Sequence, residues 1–454
     1  MRTFADADNV IRLHLPFDRE VMDILVSKLK WPNPDFVKRQ EAGRSTWNCP
    51  REIVLYQQRG DQMIVPFGLL KTLWQYGIII CPSEHLESPT SVFNASIDNL
   101  YDYQQEALES ALKARNGVLV APCGSGKTQI GLAICAELGL NTLWLTHTGE
   151  LLKQSMSRAK QYMAHVPMGT ITGGKINAVK GITFATVQTM SKIDLSLYKD
   201  FWDMIIVDEC HKCVGTPTQM TMFWKVLSGL SARYKIGLTA TPKRNDGMEK
   251  AMYALLGDKF HEISHDQVKD KTVPINIIGP IPTHWEPNFE EVLNPDGTLN
   301  YVSLITNCIE NEDRNAVIAS AINSAANDGP TLVLSERVAH LEILAKMCNH
   351  RQGNLSSAKK GERNGLLKDV HDGKVRVLFA TYAMAKEGLD IPCLQHLIIA
   401  SPIKDDIAVT QSAGRVMRGY DGKEVGNIWE FADEMTMLRK WLSKRISIYK
   451  RLSQ

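Results

Sequence analysis

Between residues 101 and 260, short apolar or β-branched runs alternate with stretches of helical period. The runs at 117–121, 141–146, 182–185, 204–207 and 235–239 lack the polar alternation of a sheet with one wet face, so they predict strands buried on both sides. Strands separated by helices imply a parallel sheet covered by helices. The same rhythm returns at 331–335, 375–380, 396–400 and 427–431, predicting a second α/β domain. Between the two lie residues 260–301, with prolines at 274, 280, 282, 287 and 295 and the turn signal Asn294-Pro295-Asp296-Gly297. We take them as a linker, with the second domain's first strand at 273–278. Residues 1–95 mix signals: Trp31-Pro32-Asn33-Pro34, then strand-like 52–56 and 63–66. The tail 438–452 places Leu438, Trp441, Leu442, Tyr449 and Leu452 on one helical stripe, ringed by Arg439, Lys440, Lys444, Arg445, Lys450 and Arg451. It is expected to be a terminal helix packed on the second domain with a solvated basic face. The predicted architecture is α/β: a small α+β accessory domain (1–95), then two parallel-sheet domains in tandem (96–260 and 261–454).

Composition narrows the function. The 454 residues are 44% hydrophobic, enough for several cores, while 52 Lys and Arg against 50 Asp and Glu leave a net charge of +2. A polybasic nucleic-acid binder is excluded, so any such contact must be local. Nine scattered cysteines, an odd number, point to a reducing cytosol, not a secreted disulfide framework. No run approaches 18 apolar residues and the N-terminus MRTFADADNV lacks an apolar signal core, so a soluble cytoplasmic protein is expected.

The clearest chemistry follows the strand 118–121, which runs through Pro122-Cys123-Gly124-Ser125-Gly126-Lys127-Thr128 into a helix at 129–138. Backbone N–H groups around Gly124, Ser125 and Gly126 and the helix dipole can cradle a phosphate. Lys127 adds a point charge, and the Thr128 hydroxyl can ligate Mg²⁺. Ala121 stands where the strict motif has its first glycine. Further on, the apolar strand 204–207 ends in Asp208-Glu209-Cys210-His211, at the carboxyl end where open α/β sheets bind ligands. Asp208 is suited to hold Mg²⁺ and Glu209 to orient and deprotonate an attacking water. Cys210-x-x-Cys213 has no second cysteine pair at zinc spacing.

Asp208-Glu209-Cys210-His211, Leu238-Thr239-Ala240-Thr241-Pro242 and Gln411-Ser412-Ala413-Gly414-Arg415-Val416-Met417-Arg418 occur in the order of, and together resemble, the superfamily 2 helicases and translocases. The resemblance spans about residues 100–433 and implies two RecA-like motor domains hydrolysing ATP with Mg²⁺. It makes Gln104 the adenine-reading glutamine, although Tyr101 stands where many relatives carry Arg. It makes Gln411, Arg415 and Arg418 the catalytic contribution of the second domain, the arginines acting as fingers on the γ-phosphate. Thr381 and 387–392 resemble the motif whose Gly388 and Asp390 approach the nucleotide. The expected track contacts are Thr146, Gly174, Thr186 and Gln188 in the first domain, and Arg337 and Thr381 in the second.

Residues 236–247 look most like the XPB-like and phage UvsW-like DNA helicases, which implies forked or branched DNA as partner and, for a phage protein, the host cytoplasm. Weaker similarity makes 1–95 the accessory domain of phage-type members, with Lys38, Arg39, Arg44, Trp47 and Arg51 offering charge and a stacking ring to DNA. A core Trp with solvated basic neighbours explains the same residues. Two alternatives stay open: an RNA helicase, and an ATP-switched nucleic-acid-binding protein without productive turnover.

Overall fold

Every strand expected in the two α/β segments forms, and the central ones are buried along their whole length. The computed structural model describes all residues except 1–3, 15–18, 123, 215–216, 241, 243–246, 265, 360, 387–390 and 454. Contacts divide the chain into Met1–Ser264 and His265–Gln454.

In the first unit eight strands form one sheet, in the order Lys175–Asn177, Met168–Thr172, Ile182–Thr186, Thr142–Thr146, Met204–Asp208, Tyr234–Thr239, Asn116–Val120 and Lys259–Glu262. All neighbours are parallel except the first two, which form a hairpin. Its turn, Gly173-Gly174, has φ of 59° and 78°, angles that side chains disfavour. Lys259–Glu262 carries the sheet slightly past the expected linker start at 260. As an edge strand it is covered on one side only, so its sequence KFHE lacks the apolar signature of a central strand. Asp208 pairs in register with Leu238, and Leu238 with Leu119. That brings the acidic pair level with the end of the phosphate-loop strand.

The N-terminal residues form a five-stranded sheet, in the order Gln57–Arg59, Gln62–Val65, Ile11–His14, Phe4–Ala7 and Ile79–Pro82. Leu13 and Val65 of this sheet, with Leu25 and Leu73 of the helices beside it, belong to the same hydrophobic cluster as Val118, Leu143 and Val207 of the larger sheet. Gly68 packs so closely that a Cβ there would lie 2.5 Å from both the Ala254 carbonyl oxygen and the Gly257 nitrogen. Lys235 fastens the same junction. Fully buried, it donates to the carbonyls of Leu227 (2.9 Å), Leu230 (3.1 Å) and Asn9 (3.4 Å), with its ammonium 4.8 Å from the Phe67 ring centroid. Burial pushes it down to about 7, although the Asp8 carboxylate pulls the other way. Lys235→Met keeps the stem but strands carbonyls, and should cost about 2 kcal/mol or more of stability. Thermal unfolding of the two proteins measures this; an unchanged midpoint would refute the fastening role.

The second unit is a six-stranded, all-parallel sheet in the order Ile275–Pro282, Gly426–Ala432, His396–Ile399, Thr331–Ser335, Val377–Thr381 and Gln352–Asn354. Two buried ion pairs brace it. Arg314 donates to both Asp433 oxygens (2.8 and 3.2 Å), and Arg445 to both Glu430 oxygens (2.8 and 2.6 Å). The terminal helix runs over Thr436–Leu452 and buries Leu438, Leu442, Tyr449 and Leu452, while Trp441 is half-buried. Arg445 departs from the expected solvated face. It lies inward because Glu430, itself fully buried, needs a partner with several donors. Two RecA-like parallel-sheet domains preceded by a small α+β region is thus the observed fold. No helix among the described residues is long and apolar enough to cross a membrane.

Candidate nucleotide site and nucleic-acid track

The strand Asn116–Val120 delivers the chain into a turn and then the 12-residue helix Lys127–Leu138. Gly124 and Gly126 take positive φ (87° and 77°), and Gly126 is the left-handed cap of the helix. The first amides of an α-helix have no carbonyl partner one turn back, so this helix start can offer donors to a phosphate. Lys127 folds back over it, Nζ lying 3.3 Å from the carbonyls of Ala121 and Pro122. Thr128 is half-buried in the same turn. Gln104 is buried beneath the loop. Its Nε2 donates to Ser125 (3.0 Å), and its Oε1 accepts from the Tyr101 N–H (3.1 Å). The residue therefore braces the phosphate loop.

Across the sheet, Asp208 is buried. Its Oδ1 accepts from the Glu209 N–H (3.0 Å) and its Oδ2 from the Ser155 hydroxyl (3.3 Å). Burial, and next the adjacent Glu209 carboxylate, push Asp208 up to about 6, although Lys127 pulls the other way. Such an oxygen pair gains from a cation, and with the Thr128 hydroxyl it gives hard-oxygen donors that suit Mg²⁺. Glu209 sits at φ 49°, an uncommon value for a side-chain-bearing residue. Its carboxylate lies 3.3 Å from His211 Nδ1, which is 3.0 Å from the Thr239 hydroxyl. A continuous polar path thus joins the acidic pair to the end of the next strand.

In the second unit Gln411 and Ser412 are buried on the helix Asp406–Val416. Among the described residues, the Gln411 amide oxygen and the Ser412 hydroxyl have no hydrogen-bond partner. Arg415 is half-buried on the same helix, its Nη2 donating to the Ala385 carbonyl (2.9 Å). Arg418 follows the helix and bridges through its backbone to Thr272. Gly388 and Asp390 lie outside the described residues.

The expected track residues divide. Thr146 and Thr186 face each other in register at the carboxyl ends of neighbouring strands. Thr146 is fully buried and its hydroxyl donates to the Thr148 carbonyl (3.0 Å), fastening the turn from within. Thr186 shares its hydroxyl with Thr189 (3.0 Å), and Gln188 donates to the His147 carbonyl (2.8 Å). Gly174 stands at the exposed tip of its hairpin. In the second unit Thr381 pairs in register with Ser335, and both Thr381 and Arg337 are half-exposed there. Ser155 was missed in the sequence. It is one of two serines in the amphipathic helix Gly149–Tyr162, and nothing in that pattern marks it as facing Asp208.

Residues 97–244 match the family described as Type III restriction enzyme, res subunit, and residues 313–420 match the Helicase conserved C-terminal domain. The chain belongs to the superfamily 2 helicases and translocases. Its relatives bear out the XPB-like and UvsW-like resemblance. It is 26% identical over 359 residues to the DNA 3'-5' translocase XPB2 of Sulfurisphaera tokodaii, covering 71% of this chain and 79% of that one. It is 24% identical over 350 residues to the ATP-dependent DNA helicase uvsW of Enterobacteria phage T4, covering 73% and 68%. A protein of Acanthamoeba polyphaga mimivirus named as an ATP-dependent RNA helicase is 28% identical over 330 residues, covering 70% of this chain. The chain spans 61% of that relative's length and 64% of a related phage T5 helicase. The DNA-bound Type ISP restriction-modification enzyme LlaBIII shares the fold, with a TM-score of 0.58 at 18% identity, over 79% of this chain and 30% of that one.

Proposed function

We propose that this superfamily 2 protein is an ATP-dependent DNA helicase or translocase that remodels forked and branched DNA. The observation that carries the reading is the pairing, on one sheet edge, of a glycine-rich phosphate cradle with the path Asp208, Glu209, His211 and Thr239. Lys127 and the loop amides hold the β- and γ-phosphates. Mg²⁺ held by Thr128 and Asp208 would neutralise charge on the phosphate oxygens. Glu209 orients the attacking water and takes its proton, and His211 fixes that carboxylate against Thr239. Gln411, Arg415 and Arg418 belong to the same catalytic set, the arginines bringing guanidinium charge to the γ-phosphate during turnover. Movement along DNA relies on phosphate contacts at the strand ends, with no need for net basic charge.

Branch selectivity we assign to residues 34–51. This excursion starts in the helix Pro34–Glu41, which buries no side chain. It is closed by buried Asn33, which donates to the Pro50 carbonyl (2.8 Å) and accepts from the Asp35 N–H (3.0 Å). Trp47 is 83% exposed on it, so the core-Trp explanation falls. Around it the four bases Lys38, Arg39, Arg44 and Arg51 outnumber the two acids Asp35 and Glu41. An ordered, basic excursion with a bare indole suits stacking on a base at a DNA junction. Trp47→Ala should lower affinity for forks by about tenfold while leaving linear-duplex affinity and maximal turnover unchanged. Equal fork-to-duplex affinity ratios in variant and wild type would refute the assignment.

The mimivirus relative's name supports a second reading, RNA as the track. ATPase and unwinding measured side by side on single-stranded DNA, duplex, fork, four-way junction and RNA decide between them. Strong stimulation by forked DNA and weak stimulation by RNA is expected; the reverse ranking overturns the DNA reading. Absence of steady-state phosphate release would favour an ATP-switched binder.

A further inference from the structure

We infer that the carboxyl edge of the second sheet carries a pocket for one unpaired nucleobase of the track strand. A cavity of about 500 Å³ opens there, in the position where parallel sheets take ligands. Its lining comes from five separate segments. Glu336 follows the strand Thr331–Ser335, Tyr382 follows Val377–Thr381, and Ile403, Lys404 and Asp405 follow His396–Ile399. Tyr301 begins the helix Tyr301–Glu310, and Trp441 projects from the terminal helix.

The lining is apolar below, aromatic at the side and polar at the rim. Tyr382 and Ile403 are buried, and the Tyr301 and Trp441 rings lie 5.8 Å apart at 56°. Tyr301 donates its hydroxyl to Glu336 Oε2 (2.9 Å), while the Glu336 N–H donates to the Ser401 hydroxyl (2.8 Å). The carboxylate is therefore held at the rim, with lone pairs left to accept from a base edge. Lys404 is exposed beside it, within reach of a flanking phosphate. A site for phosphate alone would need neither the apolar floor nor the aromatic wall, whereas a planar base uses both. A carboxylate acceptor favours bases with an exocyclic amino group, cytosine above thymine.

The inference rests on the reading of Arg337 and Thr381 as track residues, because Glu336 and Tyr382 are their neighbours in sequence. The test uses the full chain and a deoxycytidine oligonucleotide in which one abasic site is walked along the strand. At one register the abasic strand should bind wild type about tenfold more weakly. Trp441→Ala should bind the intact strand about as weakly and lose that register's penalty. Because Trp441 also packs on the Leu438 cluster, Glu336→Gln serves as the surface variant: it should bind cytidine and thymidine strands alike, where wild type prefers cytidine. ATPase without DNA should be unchanged in both. If no register is sensitive, or the penalty persists in Trp441→Ala, while DNA still stimulates ATPase, the pocket is overturned and the motor reading stands. If the protein neither binds nor responds to single-stranded DNA, both are overturned.

Discussion

Glu209→Gln should bind ATP as tightly as wild type and hydrolyse it about 10² to 10⁴ times more slowly, the range a positioned general base contributes. The amide keeps the size of the side chain and a contact to His211 but cannot take a proton from water. Lys127→Ala should fail earlier, because the lost ammonium acts on ground-state phosphate charge and its absence shows first as weak ATP binding. The position of Glu209 sharpens the contrast. Its carboxylate lies near His211 Nδ1 (3.3 Å), whereas Lys127 lies against the carbonyls of the loop itself. Equilibrium binding of a fluorescent ATP analogue, alongside single-turnover phosphate release, separates the two roles. Equal loss of ATP binding in two folded variants would mean that Glu209 supports the phosphate site and not the water.

The motor core was legible in the sequence because its chemistry sits where the hydrophobic pattern stops. Val118–Val120 and Met204–Val207 are apolar through burial, so the residues that follow each run stand at the sheet's carboxyl edge. Edge elements gave no comparable signal. Lys175–Asn177 and Lys259–Glu262 are each covered on one side only, and their mixed sequences match neither period. Side-chain partners were hidden for a different reason. Thr146 and Arg445 have polar types expected at the surface, but each is turned inward by one acceptor that sequence spacing cannot locate: the Thr148 carbonyl and the Glu430 carboxylate. The shared core of the N-terminal sheet was equally silent, since apolar residues such as Leu13 and Leu73 do not name the surface they cover. Testing residues 1–95 by deletion would therefore uncover part of the first unit's core, and a point variant at exposed Trp47 is the sounder experiment.

Arg415→Ala reaches furthest into the mechanism, because Arg415 belongs to His265–Gln454 while Lys127, Asp208 and Glu209 belong to Met1–Ser264. Its loss can affect hydrolysis only if the second unit contributes charge to the nucleotide during turnover. A guanidinium acts mainly on transition-state charge, so kcat should fall by about 10³ or more, with a smaller effect on ATP affinity. Stimulation by DNA should disappear as well, since it depends on the same contribution. The variant also loses the bond from Arg415 Nη2 to the Ala385 carbonyl, so its thermal midpoint has to be measured in parallel. Arg415→Lys controls for charge: an ammonium cannot reproduce the planar fork of donors and should restore little of the rate. Near-normal DNA-stimulated turnover in a folded Arg415→Ala protein would show that the first unit hydrolyses ATP unaided. The helix Asp406–Val416 would then need another explanation for holding Gln411 buried with its amide oxygen without a partner among the described residues.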